Sequence, residues 1–269
     1  MTKPLNCALT IAGSDPGGGA GIQADLKTFA AHRVYGMSVI TALTAQNTLG
    51  VYGISVPEPG FVSLQLDRVL DDFPVKAAKT GMLFSVEIIS EVWNSLKDKD
   101  LLLVVDPVCI SQSGHRLLRE DAVEALKKMM IPKAILVTPN KPEAELLTGI
   151  KEIDSREKVL EAIDIFIKMG AKGVLLKGGH FQKQDEMVDW LGIESCAPFP
   201  IKRPRIKTRN THGTGCTLSA AIAANLARGL EIGPAVEQAR DYLQSALENS
   251  FNLGGGDGPV NHLVSPPGL

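Results

Sequence analysis

Short apolar runs, each followed by a polar or glycine-rich stretch and then by a helical pattern, recur along most of the chain. The runs lie at residues 7–12, 38–45, 77–82, 101–105, 134–137 and 173–176, with weaker ones at 51–56, 187–191 and 201–207. Continuously apolar runs of this length are typical of strands buried on both faces of a parallel sheet. Helical spacing occupies residues 22–30, 61–73, 85–96, 120–130, 154–169, 217–228 and 234–250. This alternation predicts an α/β fold, a single doubly wound, mostly parallel sheet flanked by helices.

The chain contains no internal repeat, low-complexity linker or compositional break. We therefore expect residues 1–269 to form one domain, with a frayed tail at about 263–269. A net charge of −2 predicts no basic face for nucleic acid or an anionic membrane. The chain has no apolar run long enough to span a bilayer, and we expect no signal peptide.

Four cysteines, at positions 7, 109, 196 and 216, are scattered without a C-x-x-C pair. This spacing argues against a zinc site or a disulfide framework, and it favours a reducing cytoplasm.

The most informative stretch precedes the helix predicted near residue 217. Gly213 and Gly215 flank Thr214, and Cys216 follows where the helix begins. A helix N-terminus presents unpaired N–H groups and partial positive charge, and glycines let an anion approach them closely. The stretch therefore predicts an anion site with a thiol beside it. A tight turn followed by a buried cysteine is the alternative.

A glycine-rich loop after the first strand loosely fits a dinucleotide fingerprint, through Gly19, Gly21 and Ala24. That fingerprint requires a carboxylate at the end of the second strand, about 20 residues further on. The second strand ends instead at Gln46, so a dinucleotide site is disfavoured, and no Walker P-loop sequence occurs. The Gln46 amide, with one acceptor and two donors in a plane, suits the edge of an aminopyrimidine. A simple turn residue is the alternative.

Other polar groups follow the predicted strands, where the carboxyl ends of a parallel sheet gather ligands. These residues are Gly13 with Asp15, Gln46, Gly81 with Met82, Asp106, Asn140 with Glu143, and Lys177. Carboxylates that hold a metal, a lysine on phosphate and an anion-binding helix start are the parts of a phosphoryl-transfer site. We therefore expect phosphoryl transfer at this edge of the sheet.

At these positions the chain resembles the hydroxymethylpyrimidine/phosphomethylpyrimidine kinases of thiamine biosynthesis, which belong to the ribokinase-like superfamily. The matching segments are residues 11–15, 23–28, 35–36, 41–48, 79–82, 106–108, 138–140, 177–180, 211–221 and 258–262. The resemblance implies ATP-dependent phosphorylation of 4-amino-5-hydroxymethyl-2-methylpyrimidine, and then of its monophosphate to the diphosphate. It also implies ATP and Mg²⁺ as cofactors and a homodimer.

The resemblance further implies roles for individual residues. Cys216 would be the catalytic base, in place of the aspartate of most ribokinase-like enzymes, and Gly213, Thr214 and Gly215 would form the anion hole. The pyrimidine would bind to Gln46, Gly13, Thr44, Met82 and Val108. Lys177 and Asn140 would contact ATP, and Asp106 and Glu143 would organise the metal. A helix N-terminus can lower the pKa of a thiol, and a Cys216 thiolate could then accept the hydroxymethyl proton. We expect Cys216→Ala to lower kcat by about 10²–10⁴, with a smaller loss in the monophosphate step.

Cys109 departs from the family pattern, which often has methionine there. We interpret it as a packing substitution, although it leaves a vitamin B6 side activity open. Two alternatives to the pyrimidine kinase remain, a pyridoxal/pyridoxine kinase of the same fold and a non-catalytic ligand-binding protein on a kinase scaffold. The glycine-rich loop at residues 15–21 is a candidate lid.

Overall fold

The computed structural model describes residues 5–109, 117–178 and 185–269 of the chain. Within these ranges the strands are β1 (Cys7–Ser14), β2 (Tyr35–Asn47), β3 (Gly50–Ser55), β4 (Val75–Thr80), β5 (Leu102–Val105), β6 (Ala134–Val137), β7 (Gly173–Leu176), β8 (Glu186–Ile193) and β9 (Phe199–Pro204). The helices are α1 (Gly21–Ala31), α2 (Pro59–Asp72), α3 (Val86–Leu96), α4 (Ala122–Ala125), α5 (Lys141–Thr148), α6 (Arg156–Lys168), α7 (Thr214–Ala227) and α8 (Ile232–Glu248).

All these strands join one sheet, in the order β3-β2-β1-β4-β5-β6-β7-β8-β9. In this spatial order, neighbouring strands pair in parallel from β2 through β1, β4, β5 and β6 to β7. At the two edges, β3 pairs antiparallel with β2, and β8 pairs antiparallel with β7 and β9. The predicted α/β fold with a mostly parallel sheet is confirmed. Because β1 and β4–β7 run in the same direction, the segments that follow them meet at one edge of the sheet.

Helices cover both faces of the sheet, as the apolar alternation along the strands requires. On β1, Leu9 belongs to the core beneath α2, α3 and α6, whereas its neighbour Ala8 belongs to the core beneath α7 and α8. Helix α7 is buried at every position from Thr217 to Ala227. A helix that is buried all round needs partners on every side, and its alanines allow α1, α8 and the sheet to approach closely.

Two details of the helices differ from the sequence-based prediction. Residues 154 and 157 do not form a capping box, because Ser155 caps α6 and accepts a hydrogen bond from the Lys158 amide at 3.3 Å. A capping box instead opens α5, which was not predicted, between Asn140 and Glu143. A helix this short, with a proline in its first turn, resembles a loop in the sequence.

The predicted helix at residues 120–130 is α-helical only over α4. It then widens into a π-helical turn at Leu126–Met130 and tightens into a 3₁₀ turn at Ile131–Lys133. Pro132, which lacks an N–H, lies in this last turn and prevents regular winding. No helix within the described ranges has the length and apolar character needed to cross a membrane.

Candidate active site

A cavity of about 860 Å³ opens at the edge where the parallel strands end, against the start of α7. Every residue to which the sequence assigned a role lines this cavity: Gly13, Thr44, Gln46, Met82, Asp106, Val108, Asn140, Glu143, Lys177, Gly213, Thr214, Gly215 and Cys216. They come from positions more than 200 residues apart in the chain, so their convergence is a property of the fold and not of one local motif.

The start of α7 forms the wall that was predicted to bind an anion. Gly213 is the N-cap with φ of 81°, a left-handed conformation that glycine adopts without strain. The first intrahelical bond runs from the Thr217 amide to the Gly213 carbonyl at 2.8 Å. The amides of Gly215 and Cys216 lie in the turn before this bond. In this first turn the N–H groups have no intrahelical partner and carry the partial positive charge of the helix start.

The Cys216 side chain is only partly exposed, at the wall of the cavity. Burial raises the pKa of its thiol to about 11, and Asp25 and Asp106 act in the same direction, against Lys79. The loss of hydration thus outweighs the nearby Lys79 ammonium group.

Lys177, at the end of β7, joins the two carboxylates that were predicted to organise a metal. Its Nζ lies 3.1 Å from Asp106 Oδ1 and 3.9 Å from Glu143 Oε2. Burial alone would raise the pKa of Asp106, but Lys177 and Lys79 hold it below its usual value. Burial raises the pKa of Glu143 to about 7, although Lys177 partly offsets the effect. Asp106 is therefore the more acidic of the two carboxylic acids.

Further hydrogen bonds fix the geometry of this cluster. Thr138 and Ser219 donate to the two oxygens of Asp106, at 3.2 Å and 3.1 Å. Glu143 accepts from the Asn140 amide at 2.8 Å, and Asn140 Oδ1 accepts from the Glu143 amide at 2.9 Å. The structure thus gives Asn140 a helix-capping position at the cavity wall, beside the carboxylates.

Two carboxylates and no other acidic or histidine ligand converge here within the described residues. This donor set fits Mg²⁺, which prefers oxygen ligands, keeps several waters and is often held by one or two carboxylates together with substrate phosphates. Asp106 and Glu143 are the side chains that would hold it.

The other end of the cavity holds the residues that were predicted to bind the pyrimidine. The pairing of β2 with β3 shifts between Ala45 and Gln46, and such bulges redirect side chains at functional sites. A β-carbon at Gly13 would lie 3.1 Å from Met82 Sδ, so glycine leaves room for this sulfur at the wall. Thr44 Oγ1 donates to the Ser14 carbonyl at 2.9 Å, which ties β2 to the end of β1.

The glycine-rich loop at residues 15–21 is held firmly against the start of α7. The Asp15 carboxylate accepts from the amides of Gly17, Gly19 and Ala20 at 2.8–3.1 Å, and from His212 Nε2 at 2.9 Å. These bonds keep the pKa of Asp15 below its usual value although burial acts to raise it. A loop bonded in this way is a fixed wall of the site, which argues against its predicted role as a lid.

A buried ion pair beneath the cavity was not singled out by the sequence analysis. Lys79 on β4 lies 2.9 Å and 3.1 Å from the two oxygens of Asp25 on α1, and Thr10 donates to the same carboxylate at 2.6 Å. A lysine inside the apolar run at residues 77–82 is the signal that identifies it, because charged residues are rarely buried without a partner.

A second buried pair lies on the far side of the cavity. Arg240 Nε of α8 is 2.8 Å from Asp189 Oδ2 of β8, and Asp189 Oδ1 accepts from the Gly178 amide at 2.7 Å. The pair therefore fixes the backbone just after Lys177. The last two residues of the motif at 177–180 lie outside the described residues.

Comparison with known proteins gives a consistent picture. The family model described as phosphomethylpyrimidine kinase matches residues 15–261. A Bacillus subtilis hydroxymethylpyrimidine/phosphomethylpyrimidine kinase is 46% identical over 260 residues, which cover 96% of this chain and 94% of that protein. The thiamine biosynthesis bifunctional protein ThiED of Geobacter sulfurreducens is 48% identical over 97% of this chain, which spans 53% of that longer protein.

The fold is also found among solved structures. The ADP complex of Bacillus subtilis pyridoxal kinase superposes with a TM-score of 0.89 at 36% identity, covering 96% of this chain and 98% of that one.

Proposed function

Because this chain belongs to the phosphomethylpyrimidine kinase family, we propose that it phosphorylates 4-amino-5-hydroxymethyl-2-methylpyrimidine and then its monophosphate, for thiamine diphosphate biosynthesis. The protein is an ATP-dependent kinase, as its relatives are. The observation that carries the assignment is the arrangement within one cavity. The same cavity is lined by Gln46 and Met82, by the start of α7 and by Lys177, whose Nζ would lie 3.5 Å from a β-carbon at Gly215.

Phosphoryl transfer asks the protein mainly to position the reactants and to stabilise charge, since the transition state is loose. At the pyrimidine end, the Gln46 amide would pair with the ring nitrogen and the amino group. The hydroxymethyl oxygen would then face the γ-phosphorus near Cys216. Lys177 would lie against the ATP phosphates, and the amides of Gly215 and Cys216 would donate to the oxygens of the transferred group.

In the first reaction the hydroxymethyl oxygen forms a bond to the γ-phosphorus, while the bond from phosphorus to the leaving ADP oxygen breaks. The hydroxyl proton is then accepted by the Cys216 sulfur, which must be in its thiolate form to take it. A raised pKa makes this thiolate scarce but strongly basic. In the second reaction the acceptor is a phosphate that is already largely ionised, so the demand for a base is smaller.

We assign Mg²⁺ to the Asp106 and Glu143 carboxylates, where it would neutralise charge on the ATP phosphates. We also propose a homodimeric cytoplasmic enzyme whose residues 1–269 form one domain. The continuous nine-stranded sheet supports one domain, and the four cysteines, all free in the structure, support a reducing compartment.

Product analysis by mass spectrometry tests the activity directly. The protein is incubated with Mg²⁺, ATP and one acceptor in each reaction. The three acceptors are the hydroxymethylpyrimidine, its monophosphate and pyridoxal. We expect a monophosphate and a diphosphate from the pyrimidine. ADP formation without any phosphorylated pyrimidine would refute the assignment.

A pyridoxal kinase activity is the second candidate, favoured by the close superposition on the Bacillus subtilis pyridoxal kinase. Cys109 also lines the cavity, beside Val108. Phosphorylation of pyridoxal alone would move the assignment to vitamin B6. A non-catalytic role would require that none of the three substrates is phosphorylated.

A further inference from the structure

We propose that His262 is a positioning residue for phosphoryl transfer, because it holds the first turn of α7 from behind through a hydrogen bond to Thr217. The segment at residues 258–262 is one of the motifs that the sequence singles out, yet none of these five described residues lines the cavity. The inference deepens the proposed function and rests on it, since the amides of this turn are those assigned to the transferred phosphoryl group.

The hydrogen bond joins the C-terminal segment to the residue that closes the anion-binding turn. Thr217 Oγ1 lies 2.9 Å from His262 Nε2, and both residues are buried. The Thr217 amide makes the first intrahelical bond, to the Gly213 carbonyl at 2.8 Å. A shift of Thr217 would therefore also shift the amides of Gly215 and Cys216, which lie in the turn that this bond closes.

Helix α8 fixes the backbone around His262. The Tyr242 hydroxyl donates to the His262 carbonyl at 3.2 Å, and the Asn261 amide donates to the Ala246 carbonyl at 3.0 Å. Because these bonds already order the segment, its imidazole reaches Thr217 with little further loss of conformational entropy. The ring is thus a fixed point against which α7 starts.

The same segment also supports the residues that lead into α7. The His212 amide donates to the Gly258 carbonyl at 3.0 Å, and His212 pairs with Pro259 as in a parallel sheet. A β-carbon at Gly258 would overlap the side-chain oxygen of Asn210, so glycine lets the two segments approach closely. On its other side, His212 is bonded to Asp15 of the glycine-rich loop. The entry to α7 is therefore held from two sides.

The His262 ring acts here as a neutral group. Burial lowers its pKa to about 4, so the ring carries no charge at neutral pH. A neutral imidazole has one N–H and one free nitrogen, and the Thr217 hydroxyl can donate or accept, so either tautomer makes the bond. His262 therefore gives the turn its position and adds no charge to the site.

The test removes either half of the hydrogen bond in the full-length protein. Thr217→Val keeps the shape of the side chain without its hydroxyl, His262→Leu removes the ring nitrogen, and Thr217→Ser keeps the hydroxyl. Asn261→Ala is the matched control. Its side chain lies in the same segment but bonds to the Asn249 carbonyl at 3.1 Å and to the Leu263 amide at 3.0 Å, away from α7.

We expect Thr217→Val and His262→Leu each to lower kcat by about tenfold, since a misplacement of about 1 Å in a site can cost about 100-fold. The loss should be equal for the hydroxymethylpyrimidine and its monophosphate, because the transferred phosphoryl group is the same in both reactions. KM for ATP should not change, as expected for an interaction made in the transition state. Thr217→Ser and Asn261→Ala should keep the wild-type kcat. A wild-type kcat in both Thr217→Val and His262→Leu would overturn the role in the reaction.

The double variant Thr217→Val/His262→Leu separates positioning from stability. It leaves neither member of the pair as a buried polar group without its partner, so its Tm should recover relative to the single variants. Its kcat should stay about tenfold low, because both single changes remove the same interaction. Recovery of kcat together with Tm would reduce the bond to a structural role. A loss equal to the product of the two single losses would show that the residues act independently, and it too would overturn the proposal.

Hydrogen exchange adds a measurement that needs no activity. In peptides that cover residues 212–219, followed by mass spectrometry, we expect faster exchange in Thr217→Val and His262→Leu and wild-type exchange in Asn261→Ala. Wild-type exchange in both variants of the pair would overturn the proposal, and Thr217→Val decides alone if His262→Leu fails to fold. If the wild type phosphorylates no pyrimidine, the proposed function fails, whereas exchange still decides whether His262 holds the turn.

Discussion

His212 Nε2 lies 2.9 Å from Asp15 Oδ2, which joins two residues that are 197 positions apart. His212 directly precedes the N-cap of α7, and Asp15 holds three amides of the glycine-rich loop. One carboxylate therefore contacts both this loop and the segment from which α7 starts. A β-carbon at Gly19 would press against the His212 ring, so the two segments are in close contact.

Loss of this hydrogen bond should loosen the anion hole without unfolding the protein. His212→Phe keeps the ring but removes the donor, and we expect kcat/KM for ATP to fall by about 10–100-fold, since a hydrogen bond to a charged group contributes about 1.5–3 kcal/mol. His212→Gln, which can restore the donor, should recover part of the loss. Asp164→Asn, at an exposed ion pair on α6, is the control and should behave as wild type. Steady-state kinetics in which His212→Phe matches the wild type would contradict this role.

Cys216→Ala tests the thiol itself. We expect kcat for the hydroxymethylpyrimidine to fall by about 10², at the lower end of the range for loss of a general base, because the raised pKa leaves little thiolate at neutral pH. The loss should be smaller for the monophosphate, whose acceptor oxygen is already ionised. Single-turnover rates for the two substrates provide the measurement. Equal losses in both steps would indicate that Cys216 acts by its position, and a wild-type rate would remove it from the reaction.

Lys177→Met should weaken ATP binding more than it destabilises the fold. The ammonium group is paired with both Asp106 and Glu143, and its removal would leave two carboxylates without this partner beside the ATP phosphates. We expect the dissociation constant of AMP-PCP to rise at least about tenfold, as loss of one charge-assisted contact implies. Calorimetric titration measures it. Lys172→Met removes an exposed lysine just before β7, paired with Glu194, and is the matched control. Equal affinities in the two variants would argue against the assigned role.

Because His32 is buried, we expect the protein to lose stability in mild acid. Its Nδ1 lies 2.8 Å from the Thr28 carbonyl, its Nε2 is buried without a partner among the described residues, and burial lowers its pKa to about 4. Between pH 6.5 and about 4 the unfolded chain binds a proton that the folded chain does not, so the free energy of unfolding falls as the pH drops. The full effect is about 3 kcal/mol.

His32→Gln should therefore flatten the dependence of Tm on pH below 6.5 and leave it unchanged above. The slope should not vanish, because His262 is also buried with a pKa lowered to about 4. Thermal unfolding at several pH values gives the comparison, and kinase activity at neutral pH serves as the control, since His32 does not line the cavity. An unchanged slope would show that folding does not lower the pKa of His32.

The sequence was sufficient for the fold, because apolar periodicity sets the strands and helices. The residues that it singled out line one cavity, and their individual roles stay predictions. The sequence was not sufficient for the protonation states of those residues. The pKa of Cys216 depends on how deeply the thiol is buried and on Asp25 and Asp106, none of which its neighbours in the chain reveal. The hydrogen bond that holds the loop at residues 15–21 is equally hidden in the sequence, since His212 comes from the other end of the chain.

Local signals also competed with one another. Ser155 directly follows Asp154, which was predicted to cap α6, and only the backbone geometry shows that Ser155 is the cap. The ion pair of Lys79 with Asp25 joins a strand and a helix that are 54 residues apart, so neither half indicates the other.

The placement of α7 has a consequence for how the protein is made. The helix packs against α1, β1, β4 and β5, all of which leave the ribosome long before it does. A translation product that ends before residue 212 therefore lacks this wall of the cavity, together with Cys216. The last fifth of the chain is thus the part whose synthesis completes the cavity.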